Sequence, residues 1–199
     1  MGDHYFSKTP DSQHRPQQFT YTLRGRQYKF HTDAGVFSKS EVDFGSRLLI
    51  ETFEWPKIAG PILDAGCGYG PIGISLAAEQ PDRTIHMIDV NDRALALARE
   101  NAKLNHIGNV QIYESDRLQN VLKEGFAVVL TNPPIRAGKQ TVFDILQNGF
   151  AKLAEGGEIW VVIQKKQGAP SAIKELERLA GSCDTVAKSK GYFILRAKK

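Results

Sequence analysis

The chain has 199 residues, of which 41% are hydrophobic and 24% charged, enough for one sizeable core and unlike a disordered or fibrous composition. Its formal net charge of +4 favours a polyanionic partner without requiring one. No apolar run approaches the roughly 20 residues that cross a bilayer, the amino terminus holds no hydrophobic targeting core, and no dimerisation stripe is visible. We therefore expect a soluble, cytoplasmic monomer with no membrane partner.

Residues 1–18 are polar, carry two prolines and read as a flexible arm. "FTYTLRGRQYKFHT" alternates around Arg24-Gly25 and predicts a β-hairpin, Phe19–Leu23 and Gln27–His31. "SKSEVDFGSRLLIETFEW" follows, with Ser40 as a helix cap and Leu48, Leu49, Glu51, Thr52 and Phe53 continuing the helix. From residue 59 onward the pattern changes. "PILDAG", "TIHMIDV", "VQIYES", "FAVVLTN" and "EIWVVIQ" are short apolar runs. They alternate with the helical segments "PIGISLAAEQ", "DRALALARENAKLN", "TVFDILQNGFAKLAEGG" and "APSAIKELERLA". The two glycines are expected to stop the third of these helices, and "CDTVAKSKGYFILRAK" reads as a terminal hairpin.

Strands alternating with helices predict an α/β fold of βαβ units around a mostly parallel sheet. The strands are continuously apolar, as expected when helices cover both faces. The domain reading is an arm at 1–18 and one domain at 19–199, made of a hairpin and helix (19–58) and a Rossmann-like core (59–199). Ligands of such sheets bind at the carboxyl ends of the strands, and the unusual residues of this chain sit there.

The first such end is "LDAGCGYG", with Asp64, Gly66, Cys67, Gly68 and Gly70. The glycines permit a tight turn and close backbone approach to a ligand. The spacing is G-x-G-x-G and position 71 is Pro, which departs from the dinucleotide fingerprint G-x-G-x-x-G and argues against a nicotinamide oxidoreductase. An acid ahead of the glycines would repel a pyrophosphate and suits a cationic ligand; S-adenosylmethionine carries a sulfonium and an ammonium. The second end places Asp89 roughly 20 residues on, where an acid grips a ribose diol, with Val90 beside it for the adenine. Asp89, Asn91 and Asp92 also suit the cap of the next helix; we assign Asp89 to the ribose and Asp92 to the cap. The third end offers Ser115 and Asp116, the latter as acceptor for an adenine amino group.

The fourth apolar run stops at Asn132-Pro133-Pro134. Proline lacks an N–H and has a fixed φ, so a rigid segment with free carbonyls results. The Asn132 side-chain oxygen and the Pro133 backbone oxygen are two acceptors for the two N–H bonds of a nucleobase or amide nitrogen. They would aim its lone pair at an electrophile. Positioning of this kind supplies roughly 7–11 kcal/mol at best. The two cysteines, Cys67 and Cys183, lie far apart and the five histidines are scattered, which suits reduced thiols and no metal site.

"LDAGCGYGPIGISLA", "MIDVNDRAL" and "LTNPPI" together resemble the class I S-adenosylmethionine-dependent methyltransferases over roughly residues 60–198. "NPPIRAGK" and "GVFSKSEVDFGSRLLIE" narrow the resemblance to the small bacterial methyltransferase domain of the 16S ribosomal RNA guanine-N2 type. It implies a seven-stranded sheet with one antiparallel strand, "YFILRAK". It implies S-adenosylmethionine as cofactor, S-adenosylhomocysteine as product, and ribosomal RNA or the small ribosomal subunit as partner. It also implies that Phe37 closes the cofactor pocket or stacks on the target base, with Pro134 and Ile135 beside that base. Position 135 is Ile where enzymes acting on adenine N6 or a protein glutamine usually carry an aromatic residue, so guanine N2 is the expected acceptor. Those two acceptors, and a non-catalytic RNA-binding or ribosome-assembly protein keeping the fold, are the rival readings. Arg136 and Lys139 follow the acceptor motif and would meet RNA phosphates. Lys165, Lys166, Lys188, Lys190, Arg196, Lys198 and Lys199 would add charge.

Overall fold

The structure is a computed structural model that describes residue 8, residues 14–36 and residues 41–199. Strands β1 (Gln17–Leu23) and β2 (Arg26–Thr32) pair antiparallel. Their two-residue turn has positive φ at both Arg24 (48°) and Gly25 (75°), the twist that matches a hairpin. Helix α1 (Phe44–Thr52) starts three residues later than the sequence predicts, because the Asp43 side chain accepts from the Ser46 amide at 3.0 Å and caps it. Ser40, the expected cap, lies outside the described residues.

The core runs β3 (Ile62–Ala65), α2 (Pro71–Glu79), β4 (Ile85–Asp89), α3 (Asp92–Leu104), β5 (Val110–Glu114), β6 (Phe126–Thr131), α4 (Lys139–Ala151), β7 (Leu153–Gln164), α5 (Ala169–Ala180), β8 (Asp184–Ser189) and β9 (Tyr192–Lys198). The sheet order is β5-β4-β3-β6-β7-β9-β8. Only β9 runs against the others, paired antiparallel to both β7 and β8. The winding reverses between β3 and β6, which opens a crevice at their carboxyl ends.

Strand alternation divides the core in two. Ile62, Val128, Leu130, Trp160 and Val162 face the hairpin and α1–α3. Leu63, Val129, Val161 and Leu195 face α4 and α5. No helix among the described residues is long and apolar enough to cross a membrane.

Two further elements differ from expectation. Helix α4 ends at Ala151, short of Gly156-Gly157. A Cβ on Gly157 would lie 2.8 Å from the Phe126 carbonyl oxygen and 2.9 Å from that of Ala154. The glycine therefore serves a backbone approach where β7 shifts register against β6, and not a helix stop. Helix α3 is capped by Asn91, whose Oδ1 accepts from the Ala94 amide at 3.0 Å. Asp92 instead sits in the first turn, where an acid favours the helix dipole.

Helix α3 also holds the hairpin. Asn101 Oδ1 accepts from the His31 amide (2.7 Å), and its Nδ2 donates to the carbonyls of His31 and Tyr69 (both 2.9 Å). One turn on, Asn105 repeats the clamp on Lys29 (3.0 and 2.7 Å). Both amides are buried, so their backbone partners would be left without water if the side chain were removed. Asn101→Ala is expected to lower the unfolding free energy by about 3 kcal/mol, read as a lower urea midpoint. An unchanged midpoint would mean the hairpin is held by its apolar contacts alone.

Candidate active site

The turn from β3 to α2 places Gly66 and Gly68 at positive φ (79° and 56°), and a side chain built on either would meet no atom within 4 Å. The amides of Gly66 and Cys67 donate to the Ile88 carbonyl at 2.9 and 2.8 Å, tying the loop to β4. Gly70 is different. A Cβ there would strike Ile74 Cδ1 at 2.7 Å and Met87 Cε at 3.0 Å, and one on Gly73 would strike Met87 Cγ at 2.6 Å. Gly70 lies off the cleft wall and serves helix-on-strand packing. Cys67 lines the cleft. Burial, with Asp89 and Asp64 nearby, pushes its thiol well above the ordinary range.

Asp64 also departs from expectation. It is fully buried beneath the loop and does not line the cleft. Its Oδ2 accepts from the Gly73 amide at 2.8 Å and so anchors the first turn of α2. Its Oδ1 has no hydrogen-bond partner among the described residues. Burial pushes its carboxyl up to about 7, against the Gly73 bond and with some help from Asp89. A carboxyl raised in the folded state binds its proton more tightly there than when unfolded. Its stabilisation is complete below the unfolded value of 3.8 and is lost as pH rises through about 7. Asp64→Asn should remove this slope of at most roughly 1.4 kcal/mol per pH unit. In denaturation across that window, the variant should gain on the wild type as pH rises. Parallel curves would show that Asp64 is ionised throughout.

Asp89 ends β4 on the cleft wall. Its Oδ2 accepts from the Gly68 amide and its Oδ1 from the Asn91 amide, both at 2.9 Å. Burial pushes its carboxyl above the usual range, while amides of Asn91, Gly68 and Val90 pull it back. The carboxylate keeps acceptor capacity for a further donor. Val90, Ser115 and Asp116 line the same cleft. The Ser115 amide donates to the Asp89 carbonyl at 3.0 Å and its Oγ accepts from the Asn120 amide at 3.0 Å, so its hydroxyl braces the loop. Asp116 is gripped by Arg117 through Nε (3.0 Å) and Nη2 (2.9 Å), and Arg117 reaches Asp144 at 3.0 Å. Arg117 and Leu118 both take positive φ (47° and 72°), a strained pair at the cleft edge. An ordinary Asp-Arg dipeptide carries no signal of this, and the sequence offered no reason to single out Arg117.

Asn132 follows β6. Its Nδ2 donates to Asp43 Oδ2 at 3.0 Å and to Ser46 Oγ at 2.9 Å. A carboxylate only accepts, so the amide can sit in one sense alone: nitrogen toward α1, oxygen away. Neither the Asn132 oxygen nor the Pro133 carbonyl has a hydrogen-bond partner among the described residues. Asn132, Pro133 and Pro134 line the cleft, as do Asp43 and Ser46. The orienting pair Asp43 and Ser46 was not foreseen from sequence; their Asp-x-x-Ser spacing was a capping signal whose second use depends on a contact 89 residues away.

Other expected residues lie elsewhere. Ile135 packs against the apolar cluster under α4 and α5 and does not line the cleft. Arg136 and Lys139 are exposed at the rim, with the Lys139 ammonium 5.0 Å from the Phe143 ring centre. Arg196 pairs with Asp184 at 2.8 Å, and Lys198 lies opposite Glu158 of β7. Lys199 donates to the Ala151 and Leu153 carbonyls. Lys198 and Lys199 sit toward the amino-terminal ends of the parallel strands, away from the cleft, whereas Arg196 lies level with Trp160. Phe37 lies outside the described residues.

The cleft measures about 390 Å³, within the range of small-molecule sites. One end offers the open glycine turn and Asp89, the other the free acceptors of Asn132 and Pro133. Among the described residues no group of three or more His, Cys, Asp or Glu side chains could hold a metal ion.

The family model "methyltransferase small domain" matches residues 27–196. An "Uncharacterized protein YbxB" from Bacillus subtilis is 56% identical over the full length of both chains. The "Ribosomal RNA small subunit methyltransferase C" of Vibrio cholerae is 30% identical across 92% of this chain and 53% of its own length. Among solved structures, a T. thermophilus 16S rRNA N2 G1207 methyltransferase in complex with AdoMet and guanosine superposes with a TM-score of 0.82 at 25% identity. That match covers 92% of this chain and 50% of the other. The chain thus spans about half the length of these ribosomal enzymes.

Proposed function

The chain belongs to the methyltransferase small domain family, and from that premise we propose that it methylates the N2 amino group of a guanine in ribosomal RNA of the small subunit, using S-adenosylmethionine. The residues present fit the cofactor. Asp89 stands on the cleft wall with acceptor capacity left for a ribose hydroxyl, and Gly66 and Gly68 leave open space beside the loop. Val90 and Asp116 line the same wall for the adenine. Bound there, S-adenosylmethionine supplies a methyl already activated on a sulfonium, so no strong base is required before transfer.

The single observation that carries the proposal is the fixed sense of the Asn132 amide. With its nitrogen held by Asp43 and Ser46, its oxygen accepts one N–H of an exocyclic amine, and the Pro133 carbonyl accepts the other. Both bonds draw the nitrogen lone pair out of the ring and aim it into the cleft. Among the described residues no histidine or lysine lines the cleft, in keeping with a reaction driven by positioning. The guanine N2 assignment is supported by the ribosomal relatives; adenine N6 and a glutamine amide present the same pair of N–H bonds.

The test is methyl transfer from radiolabelled S-adenosylmethionine to RNA and to small ribosomal subunits lacking native methylation, followed by nucleoside identification. Label in N2-methylguanosine is expected. Label in another base would keep the mechanism and move the target, while label in protein alone would overturn the RNA assignment.

A further inference from the structure

Beside Asp43, at the first position of α1, stands Phe44, partly exposed and 5.4 Å centre to centre from the Tyr192 ring. A Cβ on Gly45 would fall 2.8 Å from Tyr192 Cε1, so glycine is what lets this tyrosine lie on the first turn of α1. Tyr192 opens β9 just after a tight turn with positive φ at Lys190 and Gly191 (47° and 81°). The Lys165 amide donates to the Gly191 carbonyl at 2.8 Å, which locks that turn to the carboxyl end of β7. Three separate elements thus meet at the carboxyl edge of the sheet, next to Asn132.

Cations gather on this spot. The Arg47 guanidinium lies 5.2 Å and the Lys190 ammonium 4.9 Å from the Phe44 ring centre. Lys165 and Lys166 follow β7 at the same end of the sheet, while the Lys188 ammonium lies 4.9 Å from the Phe193 ring centre. None of these cations is ion-paired with an acidic side chain among the described residues. The Tyr192 hydroxyl likewise bonds to no described residue. Apolar packing accounts for the ring contact, but not for a set of unpaired like charges converging on it. Contacts between a cation and an exposed ring are weak, about 0.5–1 kcal/mol, and yield readily to a phosphate.

We propose that Phe44 and Tyr192, with Arg47 and Lys190, form a platform for the nucleotide that flanks the target in single-stranded RNA, an inference that rests on the RNA-methylating function proposed above. A target base must leave its stack to reach Asn132, which strips one face of its neighbour. The platform begins one residue from the Asp43 carboxylate that holds Asn132, where that neighbour is delivered. The flanking base stacks on the Phe44 ring while Lys190 and Arg47 turn from the ring to the adjoining phosphates.

The experiment uses the full chain and a fluorescently labelled single-stranded RNA read by anisotropy, with cofactor affinity and methyl-transfer kinetics in parallel. Phe44→Leu keeps an apolar residue but loses the π-face. It should weaken RNA binding about tenfold and raise KM for RNA, with cofactor affinity unchanged. The double variant R47Q/K190Q should lower the slope of log K against log salt by about 1.4, at about 0.7 per phosphate on a single strand. Wild-type affinity and slope in these variants, in a chain that binds and methylates RNA, would overturn the platform alone. No RNA binding by the wild type would overturn the RNA function and the platform together. RNA binding by the wild type without methyl transfer would overturn the methylating function and, with it, a platform for the base beside the target.

Discussion

Replacing Asn132 with alanine is expected to lower kcat/KM for methyl transfer by about a thousandfold, the upper end for loss of one preorganised hydrogen-bonding group, while S-adenosylmethionine still binds. The cofactor contacts proposed above lie mainly on the Asp89 side of the cleft, so the loss is expected in turnover. The orienting shell gives a sharper comparison. Asp43 Oδ2 accepts from both Ser46 and Asn132, so Asp43→Ala removes the helix cap and the amide anchor together. Asp43→Asn keeps one carbonyl oxygen for both donors and an N-cap of equal quality. Asp43→Ala should therefore lose both stability and kcat, and Asp43→Asn should recover most of each. Near-wild-type turnover in Asn132→Ala would sink the mechanism. Equal kcat for Asp43→Ala and wild type would sink the orienting role.

Much of this site could be read from the chain because strand ends announce themselves. Apolar runs such as "FAVVLTN" stop at residues that have no reason to be buried unless something binds there. Asp89, Val90, Ser115, Asp116, Asn132, Pro133 and the first two glycines all line one cleft. What escaped the sequence is what depends on the third dimension. A carboxylate looks the same in sequence whether it faces a ligand or a helix amide, and Asp64 turned out to face the Gly73 amide. The third glycine of the loop is required by Met87, a residue of the next strand. Ile135 reads as part of the acceptor motif, yet the short 3-10 turn after Pro134 rolls it into the apolar layer under α4. Capping was misjudged at both α1 and α3, because several adjacent polar residues suit a cap and backbone geometry selects among them.

Asp89→Ala is expected to weaken S-adenosylmethionine binding by at least about a hundredfold, since two hydrogen bonds to a charged acceptor are worth roughly 1.5–3 kcal/mol each. The same substitution frees the Gly68 amide, so the glycine turn loses a clamp as well as the ribose its acceptor. Asp89→Asn keeps one oxygen and should fall between wild type and alanine. Titration calorimetry gives the affinities directly. Thermal shifts give an independent check, because a ligand that binds only the folded chain stabilises it by RT ln(1 + [L]/Kd). The pH dependence carries a definite sign. Burial holds the free Asp89 carboxyl above its usual range, and only the ionised form offers both oxygens to hydroxyl donors. Cofactor affinity in the wild type should therefore fall as pH drops through that raised value, and Asp89→Asn should lack this particular loss. Wild-type affinity in Asp89→Ala would place the ribose elsewhere in the cleft, whereas weakened binding with the acid-side loss abolished would tie the diol to this carboxylate.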